Sequence, residues 1–332
     1  MSSNFWRNKK VLVTGGAGFI GSYVVEMLVR EGARVTVPAR DMQRTGFLQE
    51  VKKDIELVGA DLKNADVCMR LCAGKVIVMY LAAEVGGVAY NIAHPAQLFQ
   101  NNLLPFMQVI EASCKADVER FLVVSSACVY PRDAVIPTPE SEGTRGEPEP
   151  TNAGYGWAKR MQEYLGKAYA QEYGMKIAIA RPFNAYGPRD DFGNLEGSHV
   201  IPGLMQRILS GENPLVVWGS GKPTRAFLYV TDFARGLMEV AEHYAVAEPV
   251  NLGTTEEISI GELAKLIIEL SGKKLDLVFD TSKPDGQPRR NCDTTKAQSV
   301  LQWRAQVPLR EGLQKTIEWY KQHKAGSDKV TE

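Results

Sequence analysis

The sequence predicts an α/β protein with a doubly wound parallel sheet in one domain and a smaller α/β domain after it. β-Branched apolar runs alternate with helical patterns through the first half of the chain, whereas Gly, Pro and Asn become frequent after Pro182. Parallel pairing is expected because strands separated by whole helices form crossover units. We therefore predict a first domain over residues 1–182, with a return of the chain near 226–252, and a second domain mainly over 183–332.

In the first domain, short apolar runs predict strands, and apolar positions three and four residues apart predict helices. The run at 76–81 is apolar throughout, which is typical of a strand covered on both faces. The predicted strands are 10–13, 34–37, 56–58, 76–81, 120–125 and 176–181. The predicted helices are 18–31, 101–114 and 155–173.

In the second domain, the elements are shorter and stand between loops. The predicted helices are 200–210, 260–270 and 309–323, and the predicted strands are 215–218, 226–230 and 275–278. Residues 325–332 are expected to form a frayed tail.

Composition narrows the class of protein. The 39 Lys and Arg residues balance 39 Asp and Glu residues, which argues against a broadly basic surface that binds nucleic acid. No apolar run approaches the roughly twenty residues of a membrane span, and residues 1–10 lack the apolar stretch of a signal peptide. The five cysteines are irregularly spaced, and no His or Cys pair completes a zinc site. We expect reduced thiols, no metal and a cytoplasmic location.

A glycine-rich segment, residues 14–21, lies between the first predicted strand and helix. Gly15 permits a tight turn, Gly18 lets backbone amides approach a pyrophosphate, and Gly21 lets the helix pack closely on the strand. Glycines also occur in ordinary turns, but here the strand and helix that a Rossmann-type dinucleotide site requires are both predicted. The predicted cofactor contacts in this segment are Gly15, Gly18, Phe19, Ile20 and Gly21.

The end of the second predicted strand favours NADP(H) over NAD(H). NAD sites usually carry an acidic residue there, but this chain has Ala39 followed by Arg40. The Arg40 guanidinium can bind a 2′-phosphate, whereas Asp41 could still bind a ribose and keeps NAD(H) as an alternative. Asp61 and Leu62, after the third strand, are placed to contact the adenine.

Ser126, Tyr155 and Lys159 form a candidate catalytic set. Ser126 follows a strand, and Tyr155 and Lys159 lie four residues apart, on one face of the next predicted helix. A neighbouring ammonium is expected to lower the pKa of Tyr155, so that the phenol can exchange a proton during hydride transfer. The serine hydroxyl can orient the substrate oxygen.

These motifs, in this order, resemble the extended short-chain dehydrogenases/reductases, and within them the NAD-dependent epimerase/dehydratase family. The segments that carry the resemblance are 14–21, Leu81-Ala82-Ala83, 125–130, Tyr155 with Lys159, and 184–188. The resemblance covers most of the chain and implies an enzyme that acts on a nucleotide-diphosphate sugar, as a homodimer built from the helices at 101 and 155. It implies further cofactor contacts at Leu81, Ala82, Ala83, Tyr155, Lys159, Pro182 and Asn184.

Within the family, the chain is most similar to enzymes that epimerise C3 and C5 of a GDP-4-keto-6-deoxy-hexose and reduce its C4 ketone with NADPH. The similar stretches are 85–87, 198–202, 217–221 and 283–289. The resemblance implies that Cys128 and His199 are the acid and base of the epimerisation. A thiol and an imidazole suit these roles because both titrate near neutrality.

Other residues keep alternatives open. The loop 180–184, the Ala127 spacer and Asn291-Cys292-Asp293 are similar to redox-neutral GDP-mannose 3,5-epimerases, which generally have a lysine where His199 stands. A redox-neutral NAD-dependent 3,5- or 4-epimerase and a simple C4 reductase therefore stay alternatives. A non-catalytic dinucleotide-binding protein is disfavoured because Tyr155 and Lys159 are both present.

The resemblance also implies a substrate site, whose exact sugar and base the sequence leaves open. Arginine suits a diphosphate because its donors are fixed and multidentate. Arg207 and Arg225 are the implied pyrophosphate and sugar contacts, with Trp218 and Lys283 near the nucleotide. The full predicted set is Val85, Gly86, Asn184, His199, Val200, Arg207, Trp218, Arg225, Lys283 and Arg289.

Overall fold

The computed structural model describes residues 4–193, 199–283, 285 and 287–327. Ser198, Pro284 and Gly286, which belong to two of the motifs above, lie outside the described residues, as do residues 328–332 of the predicted tail. A seven-stranded parallel sheet forms the centre of the larger lobe. Its strands are β1 (Lys10–Thr14), β2 (Arg34–Ala39), β3 (Ile55–Gly59), β4 (Ile77–Tyr80), β5 (Arg120–Val124), β6 (Lys176–Pro182) and β11 (Pro249–Leu252).

The strand order is β11-β6-β5-β4-β1-β2-β3. The chain runs outward from β1 to β3, crosses back to β4, and then runs the other way to β6. β1 and β4 are therefore neighbours at the point where the order reverses, with Leu12 opposite Val78. The doubly wound fold class predicted from the sequence is confirmed, and β11 returns to the sheet beside β6. The domain boundary at residues 182 and 183 stays a prediction.

Helices cover both faces of this sheet, and the alternation of side chains along each strand explains how. Val11 and Val13 pack with α1 (Phe19–Arg30) and α7 (Val230–His243). Leu12, between them, points to the opposite face. There it packs in a second core with side chains of three helices, α2 (Ala65–Cys72), α4 (Pro95–Lys115) and α5 (Ala153–Tyr173). The short α3 (Val88–Ala93) leads into α4.

Most of the remaining elements surround a separate apolar core, which includes Leu204, Met205, Leu263 and Ile267. The helix at 295–301 instead packs on the core of the larger lobe through Ala297 and Leu301. The helices are α6 (Val200–Ser210), α8 (Ile260–Ser271), α9 (Thr295–Leu301) and α10 (Leu309–Ser327). The strands are β7 (Ala185–Tyr186), β8 (Leu215–Trp218), β9 (Thr224–Ala226), β10 (Leu228–Tyr229), β12 (Glu257–Ser259), β13 (Leu277–Asp280) and β14 (Arg289–Arg290). They pair in three small sheets, β10-β7, β12-β9-β14 and β13-β8.

Three predicted elements differ from the structure. The predicted strand at 226–230 is wrong at its end, because Val230 starts α7, whose residue Asp232 accepts hydrogen bonds from the backbone of Gln306 and Val307. α4 begins at Pro95 rather than at residue 101, since proline is favoured in the first helical turn. The predicted tail is helical as far as Ser327.

Crossing a membrane requires a long apolar helix, and none of the helices in the described ranges is of that kind.

Candidate functional site

The carboxyl ends of the parallel strands gather the predicted cofactor residues at one edge of the sheet. Thr14 ends β1, Ala39 ends β2, Tyr80 ends β4 and Pro182 ends β6. Ligands of doubly wound sheets bind at this edge, beside the point where the strand order reverses. The loops after β1 and β4 meet there, as the hydrogen bonds of Thr14 show.

The glycine segment is tightly folded against the chain after β4. Thr14 Oγ1 accepts hydrogen bonds from the backbone of Leu81 and Ala82, at 3.1 Å and 3.2 Å. Gly15 has a φ of +68°, and a Cβ built there would lie 2.9 Å from the backbone nitrogen of Ala82. A Cβ on Gly21 would lie 2.1 Å from the carbonyl oxygen of Gly15. No side chain fits at either position, because the backbone of the turn packs directly against the chain after β4 and against the start of α1.

The helix N-terminus lies directly after this turn. Gly18 is the N-cap of α1, is exposed, and donates its backbone N–H to Gly15 at 3.0 Å. Phe19 and Ile20 are the first, half-buried residues of the helix. The helix dipole and its free N–H groups favour an anion at this position.

The opposite end of the predicted cofactor site is formed by the residues after β2 and β3. Ala39 is buried, whereas Arg40 is exposed and makes no hydrogen bond or ion pair with the other residues that the structure describes. Asp61 closes its own turn by accepting the backbone N–H of Lys63 at 3.0 Å. The carbonyl oxygen of Leu62 accepts a hydrogen bond from the thiol of Cys68. Arg40 is therefore the cation with free donors at this end.

Ser126 and Tyr155 lie near each other. The Ser126 hydroxyl caps a single 3-10 turn by accepting the backbone N–H of Cys128 at 3.1 Å, and it is close enough to the phenol to affect its pKa. Burial raises the pKa of Tyr155, and a nearby charge on Cys128 adds to this, while the hydroxyl of Ser126 opposes it. The predicted lowering of this pKa is thus wrong for the protein in this structure, because burial of the phenol dominates.

Lys159 lies over the ring of Tyr155. Its Nζ is 5.5 Å from the centroid of the Tyr155 ring, and it donates to the carbonyl oxygen of Val124 at 2.8 Å and to Gln162 at 3.1 Å. Burial lowers the pKa of Lys159 to about 7, against the opposing effect of charges on Cys128 and Glu163. The ammonium is therefore sensitive to any change in the charges around it.

Cys128 is half-buried and contacts a residue that the sequence reading missed. Arg290 Nη2 lies 3.6 Å from its Sγ and donates to it. Arg289, which is predicted to bind substrate, pairs with Glu257, with 2.8 Å between Nε and Oε1. Adjacent residues of a strand point to opposite faces, so only one of these two arginines can face the thiol.

His199 caps the start of α6 and faces a buried carboxylate. Its Nδ1 lies 3.7 Å from Oδ1 of Asp190, and its side chain is 59% exposed. The Asp190 carboxylate raises the pKa of His199, although burial opposes the shift. The second oxygen of Asp190 is buried and has no partner among the described residues. No contact within the described ranges joins His199 to Cys128.

A cleft beside α6 holds several of the predicted substrate residues. Trp218 is 70% exposed, and Nζ of Lys283 lies 5.6 Å from its ring. Burial and the positive charge of Arg290 lower the pKa of Arg225 to about 10. The cleft is lined by Val200, Trp218, Gly221, Pro223, Arg225, Ile260 and Asp285. Arg225 is the arginine among these lining residues, and the nearby charge of Glu257 opposes part of the lowering of its pKa.

Four predicted contacts have mainly local roles in the structure. Arg207 pairs with Glu212 and donates to the carbonyl oxygen of Val216 at 2.7 Å. Asn184 has a φ of +35° and donates to the carbonyl oxygen of Ala226 at 2.8 Å. Val85 is exposed, and Gly86 packs under the ring of Tyr90, which a Cβ would approach to 2.4 Å. Their roles in binding stay predictions.

Comparison with known proteins gives a consistent result. A model of the NAD dependent epimerase/dehydratase family matches residues 11–253. A GDP-L-fucose synthase of Sinorhizobium fredii is 37% identical over 314 residues, which cover 93% of this chain and 95% of that protein. A crystal structure of a UDP-glucose 4-epimerase of Thermotoga maritima with UDP-glucose has a TM-score of 0.84 at 29% identity, covering 95% of this chain and 99% of that one. A GDP-L-fucose synthetase of Naegleria fowleri bound to NADP has a TM-score of 0.80 at 27% identity, covering 96% of both chains.

Proposed function

The chain belongs to the NAD-dependent epimerase/dehydratase family, and we propose that it epimerises C3 and C5 of a GDP-4-keto-6-deoxy-hexose and reduces the C4 ketone with NADPH, as in GDP-L-fucose synthesis. Membership of the family and similarity to GDP-L-fucose synthases confirm the resemblance that the motifs indicate. The observation that carries the proposal is the thiol of Cys128 beside the Ser126–Tyr155 pair, with Arg290 bound to its sulfur. A 4-epimerase, which only returns a hydride to a rotated keto-sugar, needs no second acid or base.

The residues at the sheet edge fit NADP(H). Gly15 and Gly21 let the turn fold tightly, and the exposed Gly18 leaves its backbone accessible at the N-terminus of α1, where a pyrophosphate binds well. Ala39 stands where an acidic residue would repel a 2′-phosphate, and Arg40 offers it free donors. When bound, NADPH supplies the hydride for C4. The NADP-bound relative supports this choice of cofactor.

The reduction needs a proton at the ketone oxygen when the hydride reaches the carbon. Tyr155 delivers that proton, and Ser126 hydrogen-bonds to the same oxygen. The raised pKa of Tyr155 keeps the phenol protonated before transfer, which is the form that a donor requires. Lys159 supplies a positive charge that stabilises the phenolate left behind.

The epimerisation exchanges protons on carbon next to the same ketone. Cys128 and His199 remove and deliver these protons on opposite faces, so that the configuration inverts with no net change in protons. Arg290 stabilises negative charge on the sulfur of Cys128, and Asp190 stabilises positive charge on the imidazole. This supplies the pair of groups that inversion at C3 and C5 requires.

The diphosphate of the nucleotide is assigned to the cleft that Arg225 lines. Arg225, whose guanidinium is already crowded by Arg290, gains most from an anion between them. The exposed ring of Trp218, beside Lys283, offers a surface for the base. Arg207 is the weaker candidate, since Glu212 occupies its donors.

We also propose a homodimer that forms through α4 and α5 in the cytoplasm. These helices pack on each other and expose apolar side chains on their outer faces, namely Leu104, Met107, Trp157 and Tyr164. A second copy of the same face would cover them, as a two-fold interface does. Met107→Asp is expected to give a monomer in sedimentation, whereas an unchanged sedimentation coefficient would place the interface elsewhere. The five free thiols suit a reducing compartment.

The proposed function is tested by separating its two chemistries. Deuterium incorporation from heavy water at C3 and C5 of GDP-4-keto-6-deoxy-mannose reports the epimerisation, and consumption of NADPH reports the reduction. Cys128→Ser is expected to slow the incorporation about 10²–10⁴-fold, the usual cost of losing a general acid or base. Tyr155→Phe is expected to slow mainly the consumption of NADPH, by a similar factor.

Cys114→Ser is the matched control, since this half-buried thiol lies at the end of α4. It is expected to leave both rates unchanged. Incorporation at the native rate in Cys128→Ser would exclude the epimerase role and leave a simple C4 reductase. Conversion of a nucleotide sugar without net consumption of NADPH would instead identify a redox-neutral epimerase.

A further inference from the structure

A buried ion pair lies directly behind the catalytic residues. Glu163 of α5 and Arg181 of β6 have side chains that are 6% and 1% exposed, and Nη2 of Arg181 lies 2.6 Å from Oε2 of Glu163. Arg181 Nε also donates to Oε1 of Glu163, at 2.8 Å. The same carboxylate accepts the hydroxyl of Ser125. Glu163 thus joins the ends of two strands to the helix.

The spacing along α5 relates this pair to the active site. Tyr155, Lys159 and Glu163 are each four residues apart, so they follow one face of the helix. Lys159 binds the carbonyl oxygen of Val124 at 2.8 Å, and Glu163 binds the hydroxyl of Ser125. The chain immediately before Ser126 is therefore fixed to α5 at two consecutive residues.

From these contacts we infer that Glu163 is a positioning residue for the proposed reduction, which holds Ser126 against Tyr155 and keeps the amine of Lys159 charged. The inference rests on the proposed function. Glu163 touches neither substrate nor cofactor and acts through Ser125 and Lys159.

The geometric part follows from the placement of the hydroxyls. Ser126 follows β5 by two residues and Tyr155 lies on α5, so the approach of the two hydroxyls depends on how the strand end sits against the helix. Glu163 determines this contact through Ser125, while Arg181 fixes the carboxylate from the next strand. A shift of about 1 Å in a reacting group can slow a reaction by about 10²-fold.

The electrostatic part concerns Lys159, which is only 1% exposed. Three titratable groups face it, namely Tyr155 on the same helix, Cys128 on the turn after β5, and Glu163. Glu163 also forms an ion pair with Arg181. Burial disfavours the ammonium, and the charges on Glu163 and Cys128 favour it. Loss of the Glu163 carboxylate is therefore expected to lower the pKa of Lys159, so that its ammonium deprotonates at lower pH.

Two substitutions separate geometry from charge. Glu163→Asp keeps the charge and shortens the link to Ser125, so kcat for ketone reduction is expected to fall about 10- to 100-fold. The pH at which its activity declines on the alkaline side is expected to stay native. Glu163→Gln keeps the shape and removes the charge, so this alkaline limb is expected to move down by about one pH unit or more. KM is expected to change little in both.

Asp232→Asn is the matched control, because it removes an equally buried carboxylate that pairs with Arg235 on α7. Its pH profile is expected to be native. If Glu163→Gln does not fold, the double variant Glu163→Gln/Arg181→Met restores a neutral pair and is expected to show the same shift. A native alkaline limb in either folded variant would overturn the charge role, and a native kcat in Glu163→Asp would overturn the geometric role. Absence of ketone reduction in the native protein would refute the proposed function instead.

Discussion

Adding one methyl group to the glycine turn is expected to weaken the affinity of the protein for NADPH. In Gly21→Ala, the new Cβ would lie 2.1 Å from the carbonyl oxygen of Gly15 and 2.7 Å from Cα of Gly16. Both neighbours are backbone atoms, so either α1 must move away from β1 or the turn must open. Overpacking of this kind costs about 1–3 kcal/mol. If the turn opens, the same free energy appears as an affinity for NADPH that is about 5- to 100-fold weaker.

The assay is a fluorescence titration of NADPH, with thermal unfolding of the same samples. Gly46→Ala is the control, because its Cβ would meet nothing within 4 Å. This variant is expected to bind and unfold like the native protein. Native affinity for NADPH together with native thermal unfolding in Gly21→Ala would refute the reasoning, since neither the turn nor α1 would then have responded to the added methyl group.

Three further predictions concern charges near the site. Arg40→Ala is expected to weaken binding of NADPH about tenfold or more and leave NADH unaffected, because a charge-assisted hydrogen bond is lost; equal affinities of the native protein for both would contradict this. Asp190→Asn removes the carboxylate that raises the pKa of His199, so the imidazole should titrate at lower pH. An unchanged midpoint in a proton NMR titration would contradict that sign. Arg290→Met is expected to slow deuterium incorporation at C3 and C5 about tenfold, because Cys128 loses its cationic donor. Native incorporation would show that this contact does not assist the thiolate.

The sequence predicts the larger lobe well, because long elements carry a strong periodic signal. α1, α5 and α6 lie within two residues of their predicted bounds. The short strands β12 and β14 have no such signal, since each is defined by its pairing with β9. No helix is predicted where α7 lies, and Leu228-Tyr229-Val230 at its start favours a strand locally. Contacts of Asp232 with the backbone far along the chain favour the helix instead.

The candidate site divides in the same way. The glycine segment and the Ser126–Tyr155 pair follow from local spacing, which the parallel sheet converts into proximity. The choice between Arg289 and Arg290 depends on which face of a two-residue strand points to Cys128. That orientation is set by the register of β14 with β9, where Arg290 lies opposite Arg225. Spacing along the sequence holds no information about this register.

The position of β11 at the end of the sheet has a consequence for synthesis of the chain. β6 ends at Pro182, but its partner β11 begins only at Pro249. Synthesis proceeds at about 5–20 residues per second. The edge of β6 that pairs with β11 is therefore exposed for several seconds while the intervening elements leave the ribosome. Exposed edges invite pairing with other chains. Truncated chains that stop before β11 are therefore expected to aggregate during translation, and nascent chains of this protein should engage holding chaperones until residue 252 has emerged.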